Sequence, residues 1–278
     1  MQLIRTVAGF RRVRSSITGS MGLVPTMGYL HEGHLSLVRR ARAENPVCVA
    51  WIFVNPTQFG PHEDLQRYPR DEERDVALLK REGVDILFAP TADEIYPPGF
   101  DTHVAVGAVT ERLEGAARPV HFRGVATVVA KFFNIIQPKR AYFGQKDAQQ
   151  VVVIRRMVAD LNLPVEIVVC PIVREPDGLA MSSRNSYLTP QQRAAAPVLY
   201  RALAWARERW TEGERDAGVL RALVRGIIDY EPLAQADYVS VAHPETLEEL
   251  DRLDGEALVS LAVRFGSTRL IDNIVLGG

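Results

Sequence analysis

Cysteine, lysine and long apolar runs are all scarce in this 278-residue chain, and each scarcity excludes something. Cys48 and Cys170 are the two cysteines, each inside an apolar strand-like run. Buried free thiols in a reducing compartment therefore fit better than a disulfide framework. No apolar stretch approaches the ~20 residues of a bilayer-spanning helix, so no membrane partner and a cytoplasmic location are expected. A net charge of −1 gives no global pull toward nucleic acid and speaks against a tRNA-binding enzyme. Neither a Walker A sequence nor a Gly-x-Gly-x-x-Gly fingerprint occurs, so P-loop and dinucleotide readings lack support. Four of the six histidines, His62, His103, His121 and His243, are scattered without metal-ligand spacing. Lysine occurs only at Lys80, Lys131, Lys139 and Lys146, which makes each easier to weigh as a functional group. The start, Met1 to Ser16, is rich in arginine and free of acids, as transit peptides are. Leu3, Ile4, Val7, Phe10 and Val13 equally suit a first amphipathic helix, which is the preferred reading.

What is present is an alternation. Strand-like runs at Met21–Val24, Val47–Val54, Ile86–Phe88, Ala141–Phe143 and Val165–Val169 are separated by helical patterns at Leu35–Ala43, Asp71–Glu82, Val125–Ile136 and Ala148–Asp160. Such alternation implies βαβ units, an α/β fold and a parallel sheet with its ligand crevice beyond the strands' carboxyl ends. After Arg174–Gly178 the character changes: one long helix from Pro190 to about Trp210, a second from Arg215 to Tyr230, then strands at Tyr238–Ala242 and Ala257–Phe265. The expectation is a Rossmann-like domain over 1–173 and a smaller α+β domain over 174–278, hinged near Ile172–Asp177 and able to close over the site.

Chemistry-bearing segments sit at the predicted strand ends. Pro25-Thr26-Met27-Gly28-Tyr29-Leu30-His31-Glu32-Gly33-His34 is a strand-to-helix turn. There the first helical N–H groups and the dipole favour a phosphate, Gly33 permits close approach, and both histidines can face one phosphoryl group. A zinc-protease helix would need its histidines four apart, whereas these are three apart. In Asn55-Pro56-Thr57-Gln58-Phe59, Asn55 suits a turn, while Asn55 and Gln58 both offer amides for a small polar ligand. In Gly144-Gln145-Lys146-Asp147, Lys146 can balance phosphate charge, Asp147 can cap a helix or hold a ribose, and Gln150 lies one turn on. Arg123 places a cation near a helix start. Met181-Ser182-Ser183-Arg184 reads either as a polar hinge loop or as a clamp for a triphosphate.

The early His-x-Gly-His and the late Met-Ser-Ser-Arg resemble the two signatures of the nucleotidyltransferase superfamily. Within it, residues 25–34, 53–59, Tyr68-Pro69-Arg70, His121–Val125, Phe143–Asp147 and Asp177–Asn185 together are similar to the pantoate–β-alanine ligases (pantothenate synthetases). The likeness implies that ATP adenylates pantoate and that β-alanine displaces AMP from the pantoyl adenylate. It implies ATP and Mg²⁺ as the nucleotide and its ion, small-molecule partners only, and a homodimer.

By the same likeness, His31 and His34 stabilise the α-phosphate, Lys146 neutralises phosphate oxygens, and Ser182, Ser183 and Arg184 hold the β,γ-phosphates. Met27, Gly28, Gly33, Gly144, Gln145, Asp147, Val173 and Met181 complete the nucleotide site. Gln58 and Gln150 grip pantoate, Pro25 and Phe59 pack its methyl groups, Met27 and Arg123 also contact substrate, and Asp75 is a candidate magnesium ligand. Two other readings stay open: a nucleotidyltransferase that stops at nucleotide transfer, and a silent binding module of the same fold.

Overall fold

The computed structural model describes residues 1–61 and 63–277; His62 lies outside the described residues. The chain divides into two compact units, one of Met1–Gly144 with Val153–Pro171, the other of Gln145–Val152 with Ile172–Gly278.

The first unit is a six-stranded parallel sheet. Its strands are β1 (Gln2–Ile4), β2 (Met21–Thr26), β3 (Val47–Ile52), β4 (Ile86–Phe88), β5 (Arg140–Gly144) and β6 (Glu166–Cys170), in the spatial order β1-β4-β3-β2-β5-β6. The order reverses between β2 and β5, the switch point where such sheets open their crevice. The β2–β5 ladder covers only Gly22 and Leu23, so the last residues of β2 run on without β5. Pro25 lies in that stretch, where the missing N–H costs no β2–β5 ladder bond.

Helix α1 (Val7–Ser16) is N-capped by Thr6, and α2 (Glu32–Glu44) follows the histidine turn. Helix α3 (Glu72–Arg81) precedes β4, and α4 (Ala92–Ile95) and α5 (Glu114–Ala117) are single turns. Helix α6 (His121–Ile136) buries Phe122, Val125, Val128, Val129, Phe132, Phe133 and Ile136 on one broad apolar face, with Arg123 and Asn134 exposed on the other. It packs on α1 and on the 3-10 turn Pro56–Gln58. Helix α7 (Ala148–Asp160) leads to β6. Under α2 the core gathers Val24, Leu37, Val38, Cys48, Ala50, Leu79 and Leu87. Both cysteines are free and buried, and burial pushes the Cys48 thiol up to about 12.

The second unit is an antiparallel sheet, β7 (Gln235–Ala242), β8 (Ala257–Phe265) and β9 (Thr268–Leu276), with α8 (Pro190–Ala195), α9 (Val198–Thr211) and α10 (Ala217–Asp229). Its core joins Leu199, Leu203, Leu220, Val224 and Ile228 to Val241, Val259, Leu261 and Phe265.

The fold class is the one expected, with three local differences. The chain's first residues hold a short strand before the helix. The single helix expected from Pro190 is two, parted at Ala196-Pro197, because Pro197 has no N–H to continue the helical hydrogen-bond ladder. The strand β9 is an addition to the pattern read from the sequence.

Candidate active site

The histidine turn is built by three buried or part-buried polar contacts. Gly28 and Tyr29 both adopt left-handed backbone (φ 82° and 51°), which turns the chain sharply off β2. This bend aims the N–H groups of Tyr29 and Leu30 at the Asp75 carboxylate, 2.6 and 2.8 Å away. Asp75 is 1% exposed, and burial raises its carboxyl while the two N–H bonds pull it back down. Arg74, its neighbour on α3, donates to the Leu30 carbonyl at 2.9 Å and lies over the Tyr29 ring.

His31 and His34 then cap each other. The His31 ring Nδ1 accepts from the Gly33 N–H (3.2 Å), and the His34 ring Nδ1 accepts from the His31 N–H (3.3 Å). This is a capping box made of imidazoles, with ring centroids 4.0 Å apart. An Nδ1 that accepts leaves the ring proton on Nε2, so both neutral rings are Nε2–H donors. The backbone differs from the simple expectation: the Gly33 N–H is taken by the His31 ring and the His34 N–H by the His31 carbonyl (2.8 Å). Donation to an anion therefore falls to the imidazoles more than to the first-turn amides.

Gln58 is positioned by a second buried network. Asn55, 1% exposed, donates to Gln58 Oε1 (3.0 Å) and to the Gly124 carbonyl (3.2 Å), and its own Oδ1 accepts from Tyr96 and Thr57. With Oε1 engaged, Gln58 presents its Nε2 donors, one of which meets Met27 Sδ at 3.3 Å. His121 clamps the same loop from α6. Its Nε2 lies 3.3 Å from the Arg118 guanidinium, which only donates, so Nδ1 carries the proton and donates to the Gln58 carbonyl at 3.0 Å. Burial and then the Arg118 charge push His121 down to about 4. Phe59 is buried edge-on to Tyr68; Pro25 and Met27 are half-buried and Arg123 is exposed.

Asp75 does not fit the magnesium role expected of it. Both oxygens hold the turn, and among the described residues no group of three or more His, Cys, Asp and Glu side chains could hold a metal.

In the second unit, Gln145–Asp147 form a 3-10 turn with no buried residue before α7, and Gln150 is half-buried. Val173 and Met181 are joined by a backbone bond of 3.0 Å at the base of an excursion whose tip is Gly178 (φ 91°). Ser182 caps the following 3-10 turn, accepting from the Arg184 N–H, and Ser183 is buried. Arg174, beside Val173, makes a two-pronged ion pair with Asp272 (2.6 and 2.9 Å), stacks on Tyr200 and donates to the Gly178 carbonyl. Burial raises the Asp272 carboxyl, and Arg174 opposes that.

Thus the first unit brings together Pro25, Met27, Gly28, His31, Gly33, His34, Gln58, Phe59 and Asp75, with Gly144 at the end of β5. The second carries Gln145, Lys146, Asp147, Gln150, Val173, Met181, Ser182, Ser183 and Arg184. Tyr96, Asp272 and Asn273 carry no motif in the sequence, and His121 lies in a segment of the family likeness that gives it no role; only the topology shows what these four touch.

The chain is similar to known proteins over its whole length. A family model described as Pantoate-beta-alanine ligase matches residues 2–275. A pantothenate synthetase of Roseiflexus castenholzii is 66% identical over 276 residues, 99% of each chain. One of Chloroflexus aggregans is 65% identical over 277 residues, 99% of this chain and 100% of the relative. The crystal structure of pantothenate synthetase from Thermus thermophilus superposes with a TM-score of 0.95 at 53% identity, covering 99% of both chains. That of pantoate-beta-alanine ligase from Francisella tularensis, complexed with beta-gamma ATP and beta-alanine, gives 0.83 at 34%, covering 99% of this chain and 97% of that one. With a matched model over nearly every residue and relatives at two-thirds identity, the chain belongs to the pantoate–β-alanine ligase (pantothenate synthetase) family.

Proposed function

We propose that the chain joins pantoate to β-alanine at the expense of ATP, with the histidine turn as the centre of the first step. The pantoate carboxylate attacks the α-phosphorus of ATP, pyrophosphate leaves, and the mixed anhydride pantoyl adenylate forms. The free amine of β-alanine then attacks the acyl carbon, AMP departs, and the amine's surplus proton passes to solvent.

The observation that carries this reading is the reciprocal imidazole cap: both rings hold Nε2–H donors in fixed directions at a strand end. Charge building on α-phosphoryl oxygens is met by preorganised donors, each contributing about 2–4 kcal/mol. Gln58, with its oxygen engaged by Asn55, donates to pantoate oxygens, and Phe59 and Pro25 offer apolar surface to the dimethyl carbon. Lys146, Ser182, Ser183 and Arg184 neutralise the phosphate chain. No covalent enzyme intermediate is required, so catalysis is positioning and electrostatics. A Mg²⁺ ion would ride on the triphosphate itself, as this ion commonly does. A homodimer is proposed from the family likeness, and a cytoplasmic setting from two free, buried thiols.

The test is pyrophosphate release from ATP with pantoate, with and without β-alanine. Pantoate-dependent release that turns over only with β-alanine, and falls about 10²–10³-fold in His34→Ala, is expected. Release indifferent to pantoate, or an unaffected variant, overturns the reading.

A further inference from the structure

The Gln145–Asp147 turn has little to hold it in place. None of its residues is buried, and a Cβ built on the preceding Gly144 would meet nothing within 4 Å. Yet the same turn begins the backbone of Lys146, a side chain with four rotatable carbons that gains nothing in precision from its own stem. What fixes it comes from 127 residues away in sequence. Asn273, on β9 and 2% exposed, donates one amide hydrogen to the Gln145 carbonyl and the other to the Lys146 carbonyl, each at 3.0 Å. Its Oδ1 accepts from Gln145 Nε2 at 3.0 Å. Every hydrogen-bonding atom of that side chain is thereby directed at two consecutive residues of the turn. Asn273 is itself held: its N–H donates to Asp272 Oδ1 (2.8 Å), and Asp272 is paired with Arg174, one residue beyond Val173.

We infer that Asn273 is a positioning residue for the reaction, setting the origin and direction of Lys146 through its two carbonyl contacts. All of these residues belong to the second unit. The Asp272-Asn273 pair on β9 thus holds at once the lysine turn, through Asn273, and the excursion before Ser182-Ser183-Arg184, through Asp272 and Arg174. An apolar strand could supply neither service. The inference rests on the reading of Lys146 as a phosphate-contacting group. Displacing such a group by an ångström costs about 10²-fold in rate.

The experiment is a double-mutant cycle read in kcat/KM for ATP with pantoate saturating, using Asn273→Asp, Asn273→Ala, Lys146→Ala and the two doubles. Asn273→Asp keeps the shape and the acceptor for Gln145 Nε2, and replaces both N–H donors by an oxygen facing two carbonyls. At least a tenfold loss is expected from each Asn273 variant when Lys146 is present, and less than twofold when Lys146 is already alanine. Equal losses in both backgrounds overturn the inference, because Asn273 then acts on the fold and not through the lysine. Failure of both Asn273 variants to fold overturns it in the same way. An unaffected Lys146→Ala instead overturns the reading of the lysine, and identifies that failure separately.

Discussion

The two turns that carry the histidines and the lysine are anchored with opposite chemistry. In the first unit the backbone leaving β2 bends through left-handed residues and offers N–H groups, and a buried carboxylate, Asp75, accepts two of them. In the second unit the turn after Gly144 offers carbonyls, and a buried neutral amide, Asn273, donates to two of them. Charge-assisted bonds are roughly twice as strong as neutral ones, but a buried charge is tolerated only while its partners remain. The histidine turn is consequently the stiffer of the two and the more vulnerable to loss of its anchor. The lysine turn gains less from each bond and tolerates more.

Removing the carboxylate is the most direct way to break this contrast. Asp75→Ala orphans two N–H groups at a bend already held in left-handed backbone. The expected cost is about 3–4 kcal/mol, read from the urea midpoint, together with at least a thirtyfold loss of pantoate-dependent pyrophosphate release. Asp75→Asn keeps one acceptor and is expected to lose about half as much stability. If Asp75→Ala costs no more than Asn273→Ala, the carboxylate is not the stronger anchor.

Acid sharpens the same comparison. His121 enters the fold neutral, at about 4 against an ordinary 6.5, because burial and then Arg118 oppose its charge. Between those values the unfolded chain takes up a proton that the folded chain does not, so stability falls as pH drops from about 6.5 toward 4. The shift amounts to about 3 kcal/mol. His121 clamps Gln58 in the first unit, whereas the second unit's histidine, His243, is exposed. Stability measured by urea denaturation is expected to fall between pH 7.5 and 4.5, and His121→Gln to flatten that slope. An unchanged slope in the variant assigns the acid sensitivity to other groups.

How much of this was legible in the sequence follows the same divide. Period and turn residues placed β2, β3, β5, the glycine at the histidine turn and the lysine after Gly144, because those signals are local. The anchors were not legible, because Asp75 meets its partners across 45 residues or more and Asn273 across 127 or more. β9 shows why most plainly. Asp272 and Asn273 interrupt its apolar pattern, so the residues that steady the lysine turn are the ones that hid the strand. Asp75 likewise read as a candidate metal ligand because a carboxylate's type is visible in sequence and its partners are not.

Two glycines test how closely each unit's loops are packed, with a smaller effect in each case. A Cβ on Gly124 of α6 would stand 2.4 Å from the Thr57 carbonyl oxygen and 2.6 Å from the Gln58 nitrogen, both backbone atoms that cannot turn aside. Gly124→Ala must therefore part the helix from the loop that carries Gln58. We expect about 2–3 kcal/mol of lost stability from overpacking, and roughly a tenfold rise in KM for pantoate with a smaller change for ATP.

Gly178→Ala in the second unit meets the Tyr200 ring at 2.4 Å, but a ring can swing where a carbonyl cannot. Its expected cost is nearer 1–2 kcal/mol, most of it from forcing an L-residue to φ 91°, close to the left-handed range that non-glycine residues avoid. Because Tyr200 also stacks on Arg174, the partner of Asp272, this variant is expected to raise KM for ATP two- to threefold and to leave KM for pantoate unchanged. A reversed pattern, with Gly124→Ala acting on ATP and Gly178→Ala on pantoate, would remove the assignment of pantoate to the first unit's loop and of the phosphates to the second's.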